Sequence, residues 1–183
     1  PGVNRPMNPI GIGWAGPTIA YAGTDEQKTK YLPRLLSGED IWCQLFSEPG
    51  AGSDLAALST RAVEDGDEWI VNGQKIWTSL GHVAKYGILI ARTDPDLPKH
   101  KGISYFVCPM ALSGIEIRTI TALTGGHPFN EVFFTDVRLP AATLMCALHD
   151  GGRLPPGTLA TQRGSLSRRG ACVGHGPPRL GGL

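Results

Sequence analysis

Two Asx-Gly dipeptides in the middle of the chain are the features that most restrict its fold. Asp65-Gly66 separates STRAVE from EWIV, and Asn72-Gly73 separates EWIV from QKIWTS. Both dipeptides tolerate the positive φ angles that tight hairpin turns require. The flanking segments contain β-branched and aromatic residues, which strands favour. The sequence therefore predicts two hairpin turns in close succession, with an antiparallel sheet around them.

Further strand candidates lie on both sides of this region. They are IWCQLFS, YGILIART, GISYFVCPM, GIEIRTI and NEVFFTDVRL. Roughly six or seven strands without an intervening helix predict a mainly β (α+β) fold. We expect an antiparallel β-barrel or sandwich over about residues 40–140.

One helix is predicted before the strands, from about Thr24 to Leu36. Thr24 and Gln27 match a capping box, in which each side chain bonds the other residue's backbone N–H. Pro33 interrupts the helical pattern, so we expect a kink or a division into two pieces there. Gly38 is expected to end the helix.

Composition excludes several classes of protein. The 183 residues carry a net charge of +1, which gives no reason to expect a nucleic acid as partner. No apolar run reaches the ~18 residues of a membrane span, and the N-terminus lacks the order of a secretion signal. We therefore expect a cytoplasmic protein. The four cysteines form no CxxC pair and have no histidine at zinc-ligand spacing, so neither a metal site nor a disulfide is predicted.

The end of the chain differs from the rest. Residues 150–183 contain nine glycines, four prolines, five arginines and one acidic residue. This Gly and Pro content exceeds the level of about 25–30% that marks low-complexity chain. We expect an irregular Gly/Pro/Arg-rich tail that is largely disordered.

The stretch CQLFSEPGAGSDL raises the question of a cofactor-binding loop. A phosphate-binding P-loop fails, because Gly52 is followed by Ser53 and Asp54 instead of Lys and Ser or Thr. A dinucleotide fingerprint fails as well, because Leu55 stands where a third small residue is needed. A plain turn, with Pro49 fixing one φ angle, remains open on spacing alone.

The order of the motifs resembles the acyl-CoA dehydrogenase family. CQLFSEPGAGSDLA, DGDEWIVNGQKIWTS, ILIARTDP, GISYFVCPM and FNEVFFTDVRLPAATL follow each other as they do in that family, from about Ile10 to Leu144. The resemblance implies an FAD-dependent flavoprotein that oxidises the α,β carbons of an acyl-CoA thioester in fatty acid or lipid metabolism. It also implies an electron-transfer flavoprotein as the electron acceptor, and either a homo-oligomer or a separate C-terminal subunit as a further partner.

The resemblance implies three parts. Residues 1–38 would be a remnant of the N-terminal helical domain, 39–145 the flavin-binding middle β-barrel domain, and 146–183 an irregular tail.

The resemblance also assigns site residues. Phe46 and Ser47 match positions at the pyrimidine end of the flavin, with Gln44 on the same strand face. Ser53 falls where family members contact the thioester ligand, although a turn residue that bonds its own backbone remains an alternative.

The second half of the implied cofactor site is Trp77-Thr78-Ser79. The indole would flank the flavin, and Ser79 is in register to bond its N5, with Thr78 beside it. Without the resemblance, a tryptophan in a strand would be interpreted as a core residue.

No catalytic residue is predicted. The family carries its catalytic glutamate in a C-terminal helical bundle, and the resemblance ends after Arg163, as in a frameshifted or truncated reading frame. Glu48 is interpreted as a structural acceptor in its turn, and Glu131 as the beginning of a strand. Two hypotheses remain, an acyl-CoA dehydrogenase completed by a separate C-terminal subunit and a non-catalytic flavin- or partner-binding remnant. The isolated chain is expected to be inactive.

Overall fold

A computed structural model describes residues 8–98 and 101–145, which form two helices and eight strands. A π-helical stretch, Gly11–Ala15, leads into α1 (Gly16–Ala22) and α2 (Asp25–Ser37). The strands are β1 (Trp42–Leu45), β2 (Arg61–Asp65), β3 (Glu68–Ser79), β4 (Tyr86–Arg92), β5 (Ile103–Pro109), β6 (Ile115–Ile120), β7 (Phe129–Pro140) and β8 (Leu144–Met145). The predicted irregular tail lies outside the described residues.

All eight strands belong to one sheet, in the order β6-β7-β3-β2-β4-β5-β8, with β1 paired to β4 outside this path. The mainly β fold with a preceding helical segment is confirmed. The structure differs from the predicted antiparallel barrel in two respects: β1 runs parallel to β4, and the described strands do not close into a complete barrel. Parallel neighbours need a long crossover connection, and residues 46–85 supply it.

Strands β4 and β5 are buried on both faces. Ile88 and Ile90 pack into a core shared with the helices, whereas Leu89 and Ala91 pack into a second core against β3 and β7. The helices contribute Ile19, Tyr31 and Leu35 to the first core. This double burial explains why YGILIAR and ISYFVCP read as continuous apolar runs instead of alternating ones.

Asp65-Gly66 forms the predicted hairpin turn. Asp65 pairs with Glu68 across a two-residue loop that joins β2 to β3, and Gly66 has a φ angle of 65°.

The hairpin prediction for Asn72-Gly73 is wrong, because both residues lie inside β3. The register shifts there, so that Asn72 faces two residues of β7, Thr135 and Asp136. The Asn72 side chain donates to the Asp136 carboxylate and accepts from the Asp136 backbone N–H. A Cβ atom on Gly73 would lie 2.6–2.8 Å from atoms of Thr60. The dipeptide therefore accommodates a β-bulge and a close crossing, not a turn.

The predicted helix is confirmed as α2. Thr24 caps it, both bonds of the capping box with Gln27 are present, and Gly38 ends it with a φ angle of 79°. Pro33 does not divide it into two pieces.

Gln27 also ties α2 to the far end of the sheet. Its Oε1 accepts from Thr24 N–H, while its Nε2 donates to the carbonyl oxygens of Ala142 and Leu144 at 2.9 Å each. One side chain thus serves the helix cap and a long-range contact.

We expect Gln27→Ala to cost more stability than Thr24→Ala. The threonine change removes a cap, worth about 1 kcal/mol. The glutamine change removes a cap bond and also the donor of two carbonyls, for a loss of about 2 kcal/mol or more. Urea unfolding of both variants measures the difference. Equal losses would show that the contacts with Ala142 and Leu144 contribute nothing.

Candidate functional site

A cavity of about 570 Å³ lies where the N-terminal segment meets the ends of β1, β3 and β7. The N-terminal segment contributes Pro9, Ile10 and Trp14; β1 and its continuation contribute Gln44, Phe46 and Ser47; the end of β3 and the next residue contribute Ile76, Trp77, Ser79 and Leu80; β7 contributes Phe129. The cavity therefore joins the two sequence motifs that were singled out.

Five of the six residues predicted to bind a cofactor line this cavity: Gln44, Phe46, Ser47, Trp77 and Ser79. The sixth, Thr78, is buried beside it, and its carbonyl oxygen accepts from Asn130 Nδ2 at 2.8 Å. Ser53 is exposed and does not line the cavity, so its assignment rests on the resemblance alone.

The β1 wall presents a polar group without a partner. Gln44 in β1 and Phe46, just beyond the end of β1, are two residues apart and share a face. Phe46 is buried and packs edge-on against Tyr105. Gln44 Nε2 is buried and has no hydrogen-bond acceptor among the described residues. Because such a donor carries a desolvation cost, its position in a cavity wall indicates a site built for a ligand with acceptor atoms.

The β3 wall is shaped by a second bulge. Between the pairs Lys75–Val132 and Thr78–Asn130, β3 has one residue more than β7. Trp77 lies in this bulge with a φ angle of 60°, which is unusual for a bulky residue. Its indole is 57% exposed and meets Phe129 edge-to-face at 5.8 Å. Trp77 is therefore not a core residue: the bulge directs its ring to the cavity.

A buried ion pair lies behind both walls. Lys75 Nζ, fully buried, is 2.7 Å from Glu48 Oε1 and 3.2 Å from the carbonyl oxygen of Phe46. The Glu48 carboxylate also accepts from Ser59 N–H, Ser59 Oγ and Thr60 N–H. Glu48 is thus a structural acceptor, as interpreted, but its side chain serves distant segments and not its own turn.

Lys75 was missed by the sequence analysis. Every second residue of β3 from Trp69 to Lys75 faces inward, and Lys75 belongs to this row, after Val71 and Gly73. The period of two along the strand could have identified it as a buried lysine that needs an anionic partner.

The pair is ionised at neutral pH. Burial by itself would raise the pKa of Glu48, but the charge of Lys75 and the hydrogen bonds from Lys75, Thr60 and Ser59 outweigh it and lower the pKa to about 2. Burial lowers the pKa of Lys75 to about 8 against the opposing charge of Glu48. The carboxylate is the better compensated partner, because it accepts several hydrogen bonds besides the one from Lys75.

Neither carboxylate considered as a general base lines the cavity. Glu48 is committed to the ion pair, and its lowered pKa makes it a poor proton acceptor near neutral pH. Glu131, near the start of β7, accepts from Gln74 Nε2 at 3.1 Å.

We expect Glu48 to make stability depend on pH in acid. Its folded pKa of about 2 lies below the ordinary 4.5, so the unfolded chain binds more protons in that window. Stability is therefore present above pH 4.5 and falls as the pH drops toward 2, by up to about 1.4 kcal/mol per pH unit. Urea unfolding at several pH values should show wild type losing its advantage over Glu48→Gln across this window. A constant difference would contradict the assignment.

Comparison with known proteins places this geometry in context. The model of the family described as "Acyl-CoA dehydrogenase, middle domain" matches residues 43–137. The chain is 50% identical over 173 residues to acyl-CoA dehydrogenase FadE34 of Mycobacterium tuberculosis, covering 94% of this chain and 24% of the relative.

Solved structures agree with this match. One described as "Tcur3481-Tcur3483 steroid ACAD" superposes with a TM-score of 0.78 at 40% identity, covering 84% of this chain and 38% of that one. A glutaryl-CoA dehydrogenase from Mycobacterium smegmatis in complex with FADH2 superposes with a TM-score of 0.64 at 34% identity, covering 72% and 33%. The chain thus spans only a quarter to two fifths of the length of these proteins.

Proposed function

The chain belongs to the acyl-CoA dehydrogenase family, and on this basis we propose that residues 39–145 form the flavin-facing segment of an FAD-dependent acyl-CoA dehydrogenase. The observation that carries the proposal is the unpartnered Gln44 amide in the wall of a cavity that also contains Ser47, Trp77 and Ser79.

The cavity suits the isoalloxazine ring in size and in chemistry. Cofactor sites usually measure about 300–1,000 Å³ and combine apolar walls with a few polar groups. Here Ile76, Trp77 and Phe129 supply apolar surface. Gln44, Ser47 and Ser79 supply the polar groups. A flat aromatic ring with one polar edge matches this division.

Each wall has a role in the proposal. Gln44 and Ser47 would hold the pyrimidine edge, with Phe46 behind the ring. Trp77 would cover one face, and Ser79 would bond N5. Hydrogen-bond donors at the pyrimidine edge stabilise the negative charge that builds up on the flavin ring when it is reduced. Thr78 would anchor the strand end through its bond with Asn130. The bound FAD would supply the two-electron acceptor for α,β-dehydrogenation.

The substrate and partners belong to the proposal for the whole protein. We infer an acyl-CoA thioester of fatty acid or lipid metabolism as substrate, with Ser53 as a contact, and an electron-transfer flavoprotein as acceptor. The proposal also includes a homo-oligomer or a separate C-terminal subunit, and a cytoplasmic location. It places the boundary between the N-terminal helical remnant and the middle domain at residues 38/39. In the described part of the chain, no helix has the length and apolar character needed to cross a bilayer.

A second candidate function is flavin or partner binding without catalysis. It is favoured by the ion pair between Glu48 and Lys75, and because no Asp or Glu is among the described residues that line the cavity. In that case FAD would bind to the isolated chain, but acyl-CoA would not reduce it.

We expect Trp77→Ala and Ser79→Ala to weaken FAD binding. Loss of one hydroxyl bond costs about 0.5–1.5 kcal/mol, and loss of the indole surface costs more. Titration followed by flavin fluorescence quenching gives the dissociation constants. Matched controls are Tyr21→Ala, an exposed aromatic outside the cavity, and Ser113→Ala, an exposed serine. Equal affinities in all variants would place the flavin elsewhere.

Gln44→Leu should have opposite effects on stability and on binding. The change removes a buried donor without a partner, so the free chain should be as stable as wild type or more so. The same change removes a donor to the flavin, so FAD affinity should fall. Urea unfolding and FAD titration of the one variant measure both effects. Lower stability without a change in affinity would show that Gln44 serves only the fold.

A further inference from the structure

The two cavity walls are joined behind the cavity by bonds from two consecutive residues, Lys75 and Ile76, to three consecutive residues, Phe46, Ser47 and Glu48. Lys75 Nζ donates to the Phe46 carbonyl oxygen at 3.2 Å and to Glu48 Oε1 at 2.7 Å. Between these two bonds, Ile76 N–H donates to the Ser47 carbonyl oxygen at 2.9 Å. Phe46, Ser47 and Ile76 all line the cavity, whereas Lys75 and Glu48 do not.

The connection lies where the walls most need support. Trp77, in the bulge with positive φ, follows Ile76 directly, so the ladder between β3 and β7 is interrupted there. On the other side, β1 ends at Leu45, so Phe46 and Ser47 have left the strand. Phe46 and Ser47 in one wall and Ile76 and Trp77 in the other are therefore not held by regular sheet pairing, and the Lys75–Glu48 pair supplies a replacement.

We propose that Lys75 and Glu48 are positioning residues that set the separation of the Phe46-Ser47 wall from the Ile76-Trp77 wall, and thereby the fit of the flavin ring. The proposal rests on the proposed function for its ligand, but the geometry that it explains is present without one. Glu48 extends the connection to a third segment through its bonds with Ser59 and Thr60.

A purely structural role predicts something different. Replacing a buried ion pair by uncharged residues of similar size is often neutral or stabilising, whereas removing one partner is strongly destabilising. If the pair served only stability, a charge-balanced double variant that regains stability would also regain a normal cavity. If it positions the walls, the double variant stays defective however stable it is.

The test compares Lys75→Met, Glu48→Gln and the double variant Lys75→Met/Glu48→Gln. We expect the single changes to lower the melting temperature and the double change to recover much of that loss. FAD should bind the double variant about tenfold more weakly or worse, with less quenching of flavin fluorescence at saturation because Trp77 is displaced.

The matched control is Lys85→Met, which removes a lysine from the buried carboxylate of Asp40, 2.9 Å away, outside the cavity. It should bind FAD as wild type does.

A second measurement needs no ligand and separates this proposal from the flavin assignment. Amide hydrogen exchange in the free double variant should accelerate in segments 44–48 and 75–80, with 103–109 unchanged. Wild-type exchange in those two segments would overturn the positioning role, even if FAD binds. If exchange is faster in the double variant but the wild-type protein binds no FAD, the positioning role is upheld and the flavin proposal is refuted. Recovery of both stability and FAD affinity by the double variant would also overturn the positioning role.

Discussion

The buried pair of Lys75 and Glu48 is the contact on which the arrangement of this molecule depends. Taking two charges out of water costs several kcal/mol per ion, and their attraction offsets this only when further hydrogen bonds are made. Glu48 meets that condition with bonds from Ser59 and Thr60, and Lys75 with the bond to Phe46. The two motifs, EPGAGSD and NGQKIWTS, thus contain the two halves of one electrostatic unit. Their joint occurrence in a sequence has a physical cause.

Local chemistry predicts those parts of the fold whose determinants are local. The capping box of Thr24 and the turn at Asp65-Gly66 involve residues three or fewer positions apart, and both are present. The Asn72-Gly73 dipeptide carries the same local signal as Asp65-Gly66. Its outcome is set by Asp136, a distant residue that bonds the asparagine from the neighbouring strand. The parallel pairing of β1 with β4 could not be predicted from local sequence either, because nothing in either strand specifies the direction of its neighbour.

The site was predictable to the extent that strand alternation and family motifs place residues on one face. Gln44 and Phe46 follow from the period of two. Trp77 and Ser79 share a face by the same period, but without the extra residue in β3 that face would be the inward one of Lys75. No residue type in the sequence indicates this bulge. Lys75 was overlooked because a lysine in a polar-looking strand suggests a solvated position, and only its place in the inward-facing row indicates otherwise.

The bonds from Gln27 to the carbonyls of Ala142 and Leu144 have a consequence for the order of folding. They span 115 and 117 positions of the chain, whereas the cap bond of the same side chain spans three. A ribosome releases the helix long before residues 142–144 emerge, so α2 can coil early but cannot form its bonds to Ala142 and Leu144 until those residues have been made. Such long-range closure slows folding. The apolar face of α2 is instead covered in steps during synthesis, because Tyr31 packs against Trp42 and then against Tyr86, long before the partners of Gln27 emerge.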